Sequence, residues 1–284
     1  MANATNTKLN SLEVQNLSIR YGSGSIAAVS DVSFSLKGGK LGLVGESGSG
    51  KSTVGRAIMR LLPPTARVTA DTLLFGQTDL LSASQKELRS LRGSNIALIM
   101  QDPRYSLNPV LTIGQQVSET AILHEGLKGA AAWAAARDML DRVKIRNVDR
   151  VMKSYPHQIS GGMGQRVMIA TMLLAKPGLV IADEPTSALD VSVRGEVLEL
   201  LDGLVRENGS SLILISHDIR MVSAFCDQIA VMYRGRIVEE LSRLSDARHP
   251  YTRGLVEAMP DPLNPVRRLK VPDRATFASL QGGH

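Results

Sequence analysis

The fold of this chain is decided by Gly45-Glu46-Ser47-Gly48-Ser49-Gly50-Lys51-Ser52. This motif follows a short apolar run, residues 41–44, and precedes a stretch, residues 53–62, whose pattern is helical. Glycines let backbone N–H groups turn inward around phosphates, and the start of a helix adds partial positive charge. The motif therefore predicts a loop that grips a nucleoside triphosphate. We expect Lys51 to reach the β- and γ-phosphates and Ser52 to ligate Mg²⁺.

The composition is that of an ordinary globular protein, with 284 residues, 43% hydrophobic and 21% charged. This length allows one large domain with a sub-domain or with a tail. The single cysteine, Cys226, excludes an intramolecular disulfide and an all-cysteine metal site. No apolar run approaches the roughly 20 residues that span a bilayer, so we expect any membrane role to act through partners. We interpret the net charge of +6 as a solvated surface, and we expect no nucleic-acid partner.

Two patterns of apolar residues follow each other along the chain. Residues 12–19 alternate as a half-exposed strand does, and residues 27–36 are predicted to form a strand pair. Residues 84–175 are predicted to be helical. The continuous apolar run at residues 179–182 indicates a strand that is covered on both faces, and residues 211–215 are predicted to form a second buried strand. A helix at residues 193–207, a hairpin around Arg234-Gly235, and a short helix with a proline-rich extended tail after Ser245 complete the prediction. The order predicts an α/β core with an inserted helical sub-domain.

An acidic pair, Asp183 and Glu184, comes directly after the first of these buried strands. Ligands bind at this edge of open α/β sheets, so Asp183 is placed to hold Mg²⁺ and Glu184 to polarise an attacking water. The alternative is a pair of acids near the positive end of a helix. The phosphate loop upstream favours the functional interpretation.

A second glycine-rich turn, Ser160-Gly161-Gly162-Met163-Gly164-Gln165-Arg166, has no evident partner within one chain. This suggests that it serves a nucleotide held by another copy of the chain or by a sister subunit. A simple P-loop kinase has no use for such a turn.

Together these motifs resemble those of ATP-binding cassette (ABC) ATPases, in the family's order and over nearly the whole chain. The resemblance implies a P-loop ABC fold, with a mixed-sheet core, an antiparallel β sub-domain and an inserted helical sub-domain. It implies ATP and Mg²⁺ as cofactors, catalytic roles for Lys51, Glu184 and the switch histidine His217, and Mg²⁺ contacts from Ser52, Gln101 and Asp183. Residues implied to contact ATP are Tyr21 on the adenine, then Gly45, Glu46, Ser47, Gly48, Ser49, Gly50, Lys51, Ser52, Thr53 and Gln101, and across a dimer Ser160, Gly161, Gly162, Met163 and Asp190.

Three stretches resemble the oligopeptide, dipeptide and nickel importer branch more narrowly. They are Gln101-Asp102-Pro103-Arg104-Tyr105-Ser106-Leu107-Asn108-Pro109, Gly161 to Ala170, and His249-Pro250-Tyr251-Thr252-Arg253-Gly254-Leu255. Met163 and residues 167–169 are more similar to its D-type ATPase subunit than to the F-type. Gly164 stands where the branch usually has arginine, and we expect it to loosen the start of its helix.

The branch implies a set of partners and a location. These are an F-type ATPase or a second copy as dimer partner, two transmembrane permeases, and an extracytoplasmic solute-binding protein that acts indirectly. The chain is then expected as a peripheral subunit on the cytoplasmic face of the inner membrane. Residues 1–245 would form the nucleotide-binding domain, with a helical sub-domain at about 84–175, and residues 246–284 a C-terminal extension. The alternative is an ATPase subunit of a soluble complex, either one for phosphonate breakdown or one associated with nucleic acid or ribosomes.

Overall fold

The computed structural model describes residues 10–22 and 27–258, except the side chains of residues 191 and 192. In chain order its strands are β1 (Leu12–Tyr21), β2 (Val29–Leu36), β3 (Lys40–Val44), β4 (Ala66–Thr69), β5 (Thr72–Phe75), β6 (Thr78–Asp79), β7 (Ile96–Ile99), β8 (Leu179–Asp183), β9 (Ser211–Ser216), β10 (Gln228–Tyr233) and β11 (Arg236–Leu241). Its helices are α1 (Lys51–Ile58), α2 (Gln85–Leu91), α3 (Pro103–Ser106), α4 (Ile113–Glu125), α5 (Gly129–Arg142), α6 (Val148–Met152), α7 (Gly161–Leu173), α8 (Val191–Asn208), α9 (Ile219–Phe225) and α10 (Pro250–Glu257).

The first sheet is antiparallel, in the order β2-β1-β5-β6, with β4 also pairing with β1. The alternation along β1 buries Leu12, Val14, Leu17 and Ile19 on one face. The strand pair expected at residues 27–36 was wrong, because one strand, β2, pairs with β1 from end to end. This antiparallel layer packs its apolar face on the core that also surrounds α1.

The second sheet has the order β11-β10-β3-β9-β8-β7. Its five strands from β10 to β7 are parallel, and β11 joins β10 as an antiparallel hairpin, so the mixed sheet that was expected is confirmed. Every residue of β8 and β9 is buried, which explains the apolar run of four residues in each strand. The uniformly helical stretch expected from Ser84 was wrong at Ile96–Ile99, which forms the edge strand β7 beside β8.

The helices α3 to α7 form a layer inserted between β7 and β8. On α5, Ala132, Ala136, Met139 and Leu140 are buried, whereas Trp133 is 39% exposed. A Cβ added at Gly114 on α4 would stand only 2.5 Å from the Trp133 ring. The small residue at position 114 therefore lets the two helices approach closely.

Two boundaries of the prediction shift in the structure. Helix α1 ends at Ile58 rather than at residue 62, and α8 begins at Val191 rather than at residue 193. The short C-terminal helix that was expected is α10, and the extended tail expected after it lies outside the described residues. Within the described parts of the chain, we find no helix with both the length and the apolar character needed to cross a membrane.

Candidate nucleotide site

The phosphate loop joins β3 to α1 and lies against the end of β10. Gly50 has a left-handed φ of 103° and forms the N-cap of α1, a conformation that glycine adopts without strain. Gly45 is required for close approach, because a Cβ there would stand 2.1 Å from the carbonyl oxygen of Met232. Ser52 and Thr53 follow in the first turn of α1, whose exposed N–H groups suit an anion.

The Lys51 side chain turns back into the loop. Its ammonium donates hydrogen bonds to the carbonyl oxygens of Gly45 at 2.7 Å and Glu46 at 2.8 Å. Burial lowers the pKa of Lys51, and the negative charges of Glu184, Asp183 and Glu46 oppose this shift. The loop thus holds the buried ammonium group of Lys51, whose positive charge suits the phosphates of a nucleotide.

Ser52 and Asp183 meet at the carboxyl end of the central sheet. The Ser52 hydroxyl donates to Oδ1 of Asp183 at 2.7 Å. Gln101, which follows β7, lines the same cavity of about 440 Å³, together with Arg56. Burial raises the pKa of Asp183, and the hydrogen bond from Ser52 acts in the opposite direction. A hydroxyl, a carboxylate and an amide oxygen beside the loop are donors of the kind that Mg²⁺ prefers.

Glu184 and His217 form a pair across the ends of β8 and β9. Nδ1 of His217 lies 3.2 Å from Oε1 of Glu184. Glu184 has a left-handed φ of 48°, and its N–H donates to the carbonyl of Ile215 at 2.9 Å. This conformation is uncommon for a residue with a side chain and is held here by the surrounding structure. It places a carboxylate beside an imidazole next to the phosphate loop.

The second glycine-rich turn lies at the start of α7. Ser160 is its N-cap, and its hydroxyl accepts from the N–H of Met163 at 3.3 Å. With Asp190, the N-cap residue of α8, the turn lines a cleft of about 670 Å³. Among the described residues, those that line this cleft include Ser160, Gly161, Gly162 and Met163 but none of the phosphate loop. The structure therefore does not bring the two glycine-rich segments together within one chain.

Gly164 lies within the first turns of α7, buried against α3. A Cβ at this position would stand 3.4 Å from Cγ of Pro103, which is an ordinary contact. The backbone and its surroundings therefore accept a side chain at least as large as alanine there.

Tyr21 ends β1 and is 40% exposed. The structure does not bring it into the cavity beside the loop, about 200 Å³, whose lining includes Glu46, Ser47, Gly48 and Ser49 among the described residues. That cavity is lined instead by Tyr233 and Arg234 from the hairpin of β10 and β11. Sequence reasoning missed both residues and Arg56, because no motif marks them and only the folded sheet brings them to the loop.

Comparisons with known proteins agree on one family. The sequence pattern of the ABC transporter family matches residues 29–187. The oligopeptide transport ATP-binding protein OppD of Salmonella typhimurium is 41% identical over 284 residues, covering 94% of this chain and 84% of that protein. The dipeptide transport ATP-binding protein DppD of Bacillus subtilis is 44% identical, covering 88% and 76%. A putative peptide import ATP-binding protein of Brucella melitensis is 46% identical, covering 88% and 77%.

Solved structures agree with the sequence comparisons. The dimeric post-hydrolysis structure of the ATP-binding cassette MJ0796 with ADP and Pi superposes with a TM-score of 0.69 at 28% identity, covering 81% of this chain and 98% of that one. The cassette cbiO1 of Clostridium perfringens, part of the ABC transporter complex cbiONQ, gives a TM-score of 0.67 at 29% identity, covering 81% and 88%.

Proposed function

The chain belongs to the ABC transporter family, and from that premise we propose that it is the ATP-hydrolysing subunit of an importer for peptides or related small solutes. The observation that carries the ATPase part is the contact of Ser52 with Asp183 at 2.7 Å, because it joins the phosphate loop to the acidic end of β8. The relatives named for oligopeptide, dipeptide and peptide import support the cargo class.

Lys51 and the backbone of residues 45–53 hold the phosphates of ATP in this proposal. Ser52, Asp183 and Gln101 would hold Mg²⁺, since all three residues line one cavity. When bound, the ion neutralises charge that builds up on the phosphates during transfer. Tyr21 is proposed to stack on the adenine.

Glu184 is proposed to accept a proton from the water that attacks the γ-phosphate. His217, 3.2 Å away, orients that carboxylate and contacts the same phosphate. The two residues lie at the ends of neighbouring parallel strands, so the rigid sheet fixes their separation. This arrangement suits positioning, which supplies most of the catalysis in phosphoryl transfer.

The turn at Ser160, with Gly161, Gly162, Met163 and Asp190, is proposed to complete the ATP site of a partner subunit. Its separation from the phosphate loop within one chain supports this, and the similar cassette MJ0796 is described as dimeric. ATP binding would then close the dimer and hydrolysis would reopen it. Residues 101–113 would pass the motion to a permease.

We propose that the dimer partner is an F-type ATPase or a second copy of this chain, beneath two permeases served by an extracytoplasmic solute-binding protein. The chain would be a peripheral subunit on the cytoplasmic face of the membrane, with no nucleic-acid partner. Residues 1–245 would be the nucleotide-binding domain, with the helical sub-domain within about 84–175, and residues 246–284 its C-terminal extension.

Affinity purification of the tagged chain from its native membranes, followed by mass spectrometry, tests this proposal. We expect two permeases and a second ATPase to co-purify with the tagged chain. If the chain forms a homodimer, we expect the permeases without a second kind of ATPase. Uptake of labelled di- and oligopeptides by a strain that lacks the gene, compared with the parent, then tests the cargo. Recovery of ribosomal proteins, nucleic acid or a water-soluble enzyme complex in place of permeases would refute the importer assignment.

A further inference from the structure

A side chain of helix α10 contacts the phosphate loop. The hydroxyl of Tyr251 accepts a hydrogen bond from the backbone N–H of Glu46 at 2.9 Å. Tyr251 is 1% exposed, and its ring packs on that of Tyr233 with the centroids 4.3 Å apart and the planes tilted by 36°. A residue far along the chain therefore reaches a backbone group inside the loop.

The N–H of Glu46 belongs to the same peptide group as the carbonyl of Gly45. That carbonyl accepts the 2.7 Å hydrogen bond from the Lys51 ammonium. Because a peptide group is planar and rigid, a contact that fixes its N–H also fixes the direction of its C=O. Tyr251 thus sets the orientation of a group that holds Lys51 in place.

The start of α10 is itself tied to the central sheet. Oε1 of Glu239 on β11 accepts from the N–H groups of Arg248 at 2.7 Å and His249 at 3.1 Å. Nδ1 of His249, the N-cap residue, accepts from the N–H of Tyr251 at 3.2 Å. The helix is therefore held at its first turn, which keeps the tyrosine hydroxyl in position.

We propose that Tyr251 is a positioning residue for the phosphate loop, through which the segment from Arg248 to Glu257 sets the affinity for nucleotide. The inference rests on the proposed function, since it assigns Lys51 and the loop to the phosphates of ATP. It gives the C-terminal extension a role in the nucleotide site of its own chain. In this role Tyr251 touches neither ATP nor the reacting atoms.

The test is Tyr251→Phe in the full chain, which keeps the ring against Tyr233 and removes only the hydroxyl. We expect the Kd for Mg²⁺-ATP, measured by calorimetry, to rise five- to tenfold, about 1–1.4 kcal/mol. The Kd for ADP should rise similarly, because the loop also holds the phosphates that ADP retains. In the assembled complex, KM for ATP should rise while kcat stays within twofold, because the contact between Glu184 and His217 is not altered.

Tyr155→Phe is the matched control, since it removes a hydroxyl from a 39% exposed tyrosine remote from the loop, and its affinity should equal that of the wild type. All titrations are run about 20 °C or more below each protein's unfolding midpoint, where the folded fraction is near one. A loss of stability then does not contribute to the measured Kd. Wild-type chain that does not bind ATP would refute the proposed function. This inference alone would be refuted if the wild type binds ATP and the Kd of Tyr251→Phe lies within twofold of the wild-type Kd. A Tyr251→Phe variant that loses kcat at unchanged KM would also refute it.

Discussion

Replacing Gly45 by alanine should uncouple the phosphate loop from the sheet with a single methyl group. The new Cβ would stand 2.1 Å from the carbonyl oxygen of Met232 and 2.9 Å from Oγ of Ser49. Non-bonded heavy atoms settle at roughly 3.5 Å, so the loop and the end of β10 must separate by about 1.4 Å. A misplacement of about 1 Å in a positioned site costs on the order of 100-fold in rate, or about 2.7 kcal/mol.

The assay is phosphate release at a series of ATP concentrations, together with urea unfolding of the same preparation. Gly209→Ala is the matched control, because Gly209 also has a φ that disfavours side chains, 66°, but has no atom within 4 Å of the new Cβ. It should lose roughly 1 kcal/mol of stability and keep its kcat/KM. A Gly45→Ala variant with kcat/KM within threefold of the wild type, or a Gly209→Ala variant with an equal catalytic loss, would refute the reasoning.

Three further predictions concern catalysis, helix stability and acid stability. Glu184→Gln should lower ATP turnover by about 10²–10⁴-fold and leave the Kd for ATP within threefold. The control Glu207→Gln, which loses only an exposed ion pair, should change neither quantity. Normal turnover by Glu184→Gln would show that Glu184 is not the catalytic base. Gly164→Ala should stabilise the chain by about 0.5–1 kcal/mol, seen as a higher urea midpoint, because the helix gains alanine's propensity and the Cβ meets Pro103 at an ordinary 3.4 Å; a lower midpoint would contradict this. For Glu239, burial raises the pKa, but the net shift is below its ordinary 4.5, because Oε1 accepts from the N–H groups of Arg248 and His249 at the start of α10. Its stabilisation is therefore present above pH 4.5 and lost as the pH falls through the lowered pKa. The urea midpoints of the wild type and Glu239→Gln should differ at pH 7 and converge near pH 3, and a constant difference would argue against it.

The sequence predicted the central sheet best where strands are buried on both faces. Within these strands, residues 179–182 and 212–215 are unbroken apolar runs with polar residues at their ends. Strand Ile96–Ile99 escaped prediction because four apolar residues fit one turn of a buried helix equally well. Only its pairing with β8, a contact between distant parts of the chain, makes it a strand.

The neighbours within the candidate site were predictable to the extent that they follow strands. Asp183 ends β8 and His217 directly follows β9, while Ser52 follows β3 after the phosphate loop. Topology brings the carboxyl ends of these parallel strands to one edge. Tyr251 was not predictable in this way, because its contact with the loop joins residues 205 positions apart. The sequence around Tyr251 resembles that of an importer branch, but it does not show which group the tyrosine hydroxyl contacts.

The left-handed backbone of Glu184 makes this position a point of conflict between the stability of the fold and its proposed chemistry. A residue with a Cβ costs roughly 1–2 kcal/mol in this conformation, and glycine does not. Glycine at this position would therefore yield a more robust fold while removing the carboxylate that the proposed chemistry needs. Selection or engineering for thermal tolerance alone would favour glycine at position 184. A substitution that raises the free energy of unfolding would therefore lower ATP turnover at this position.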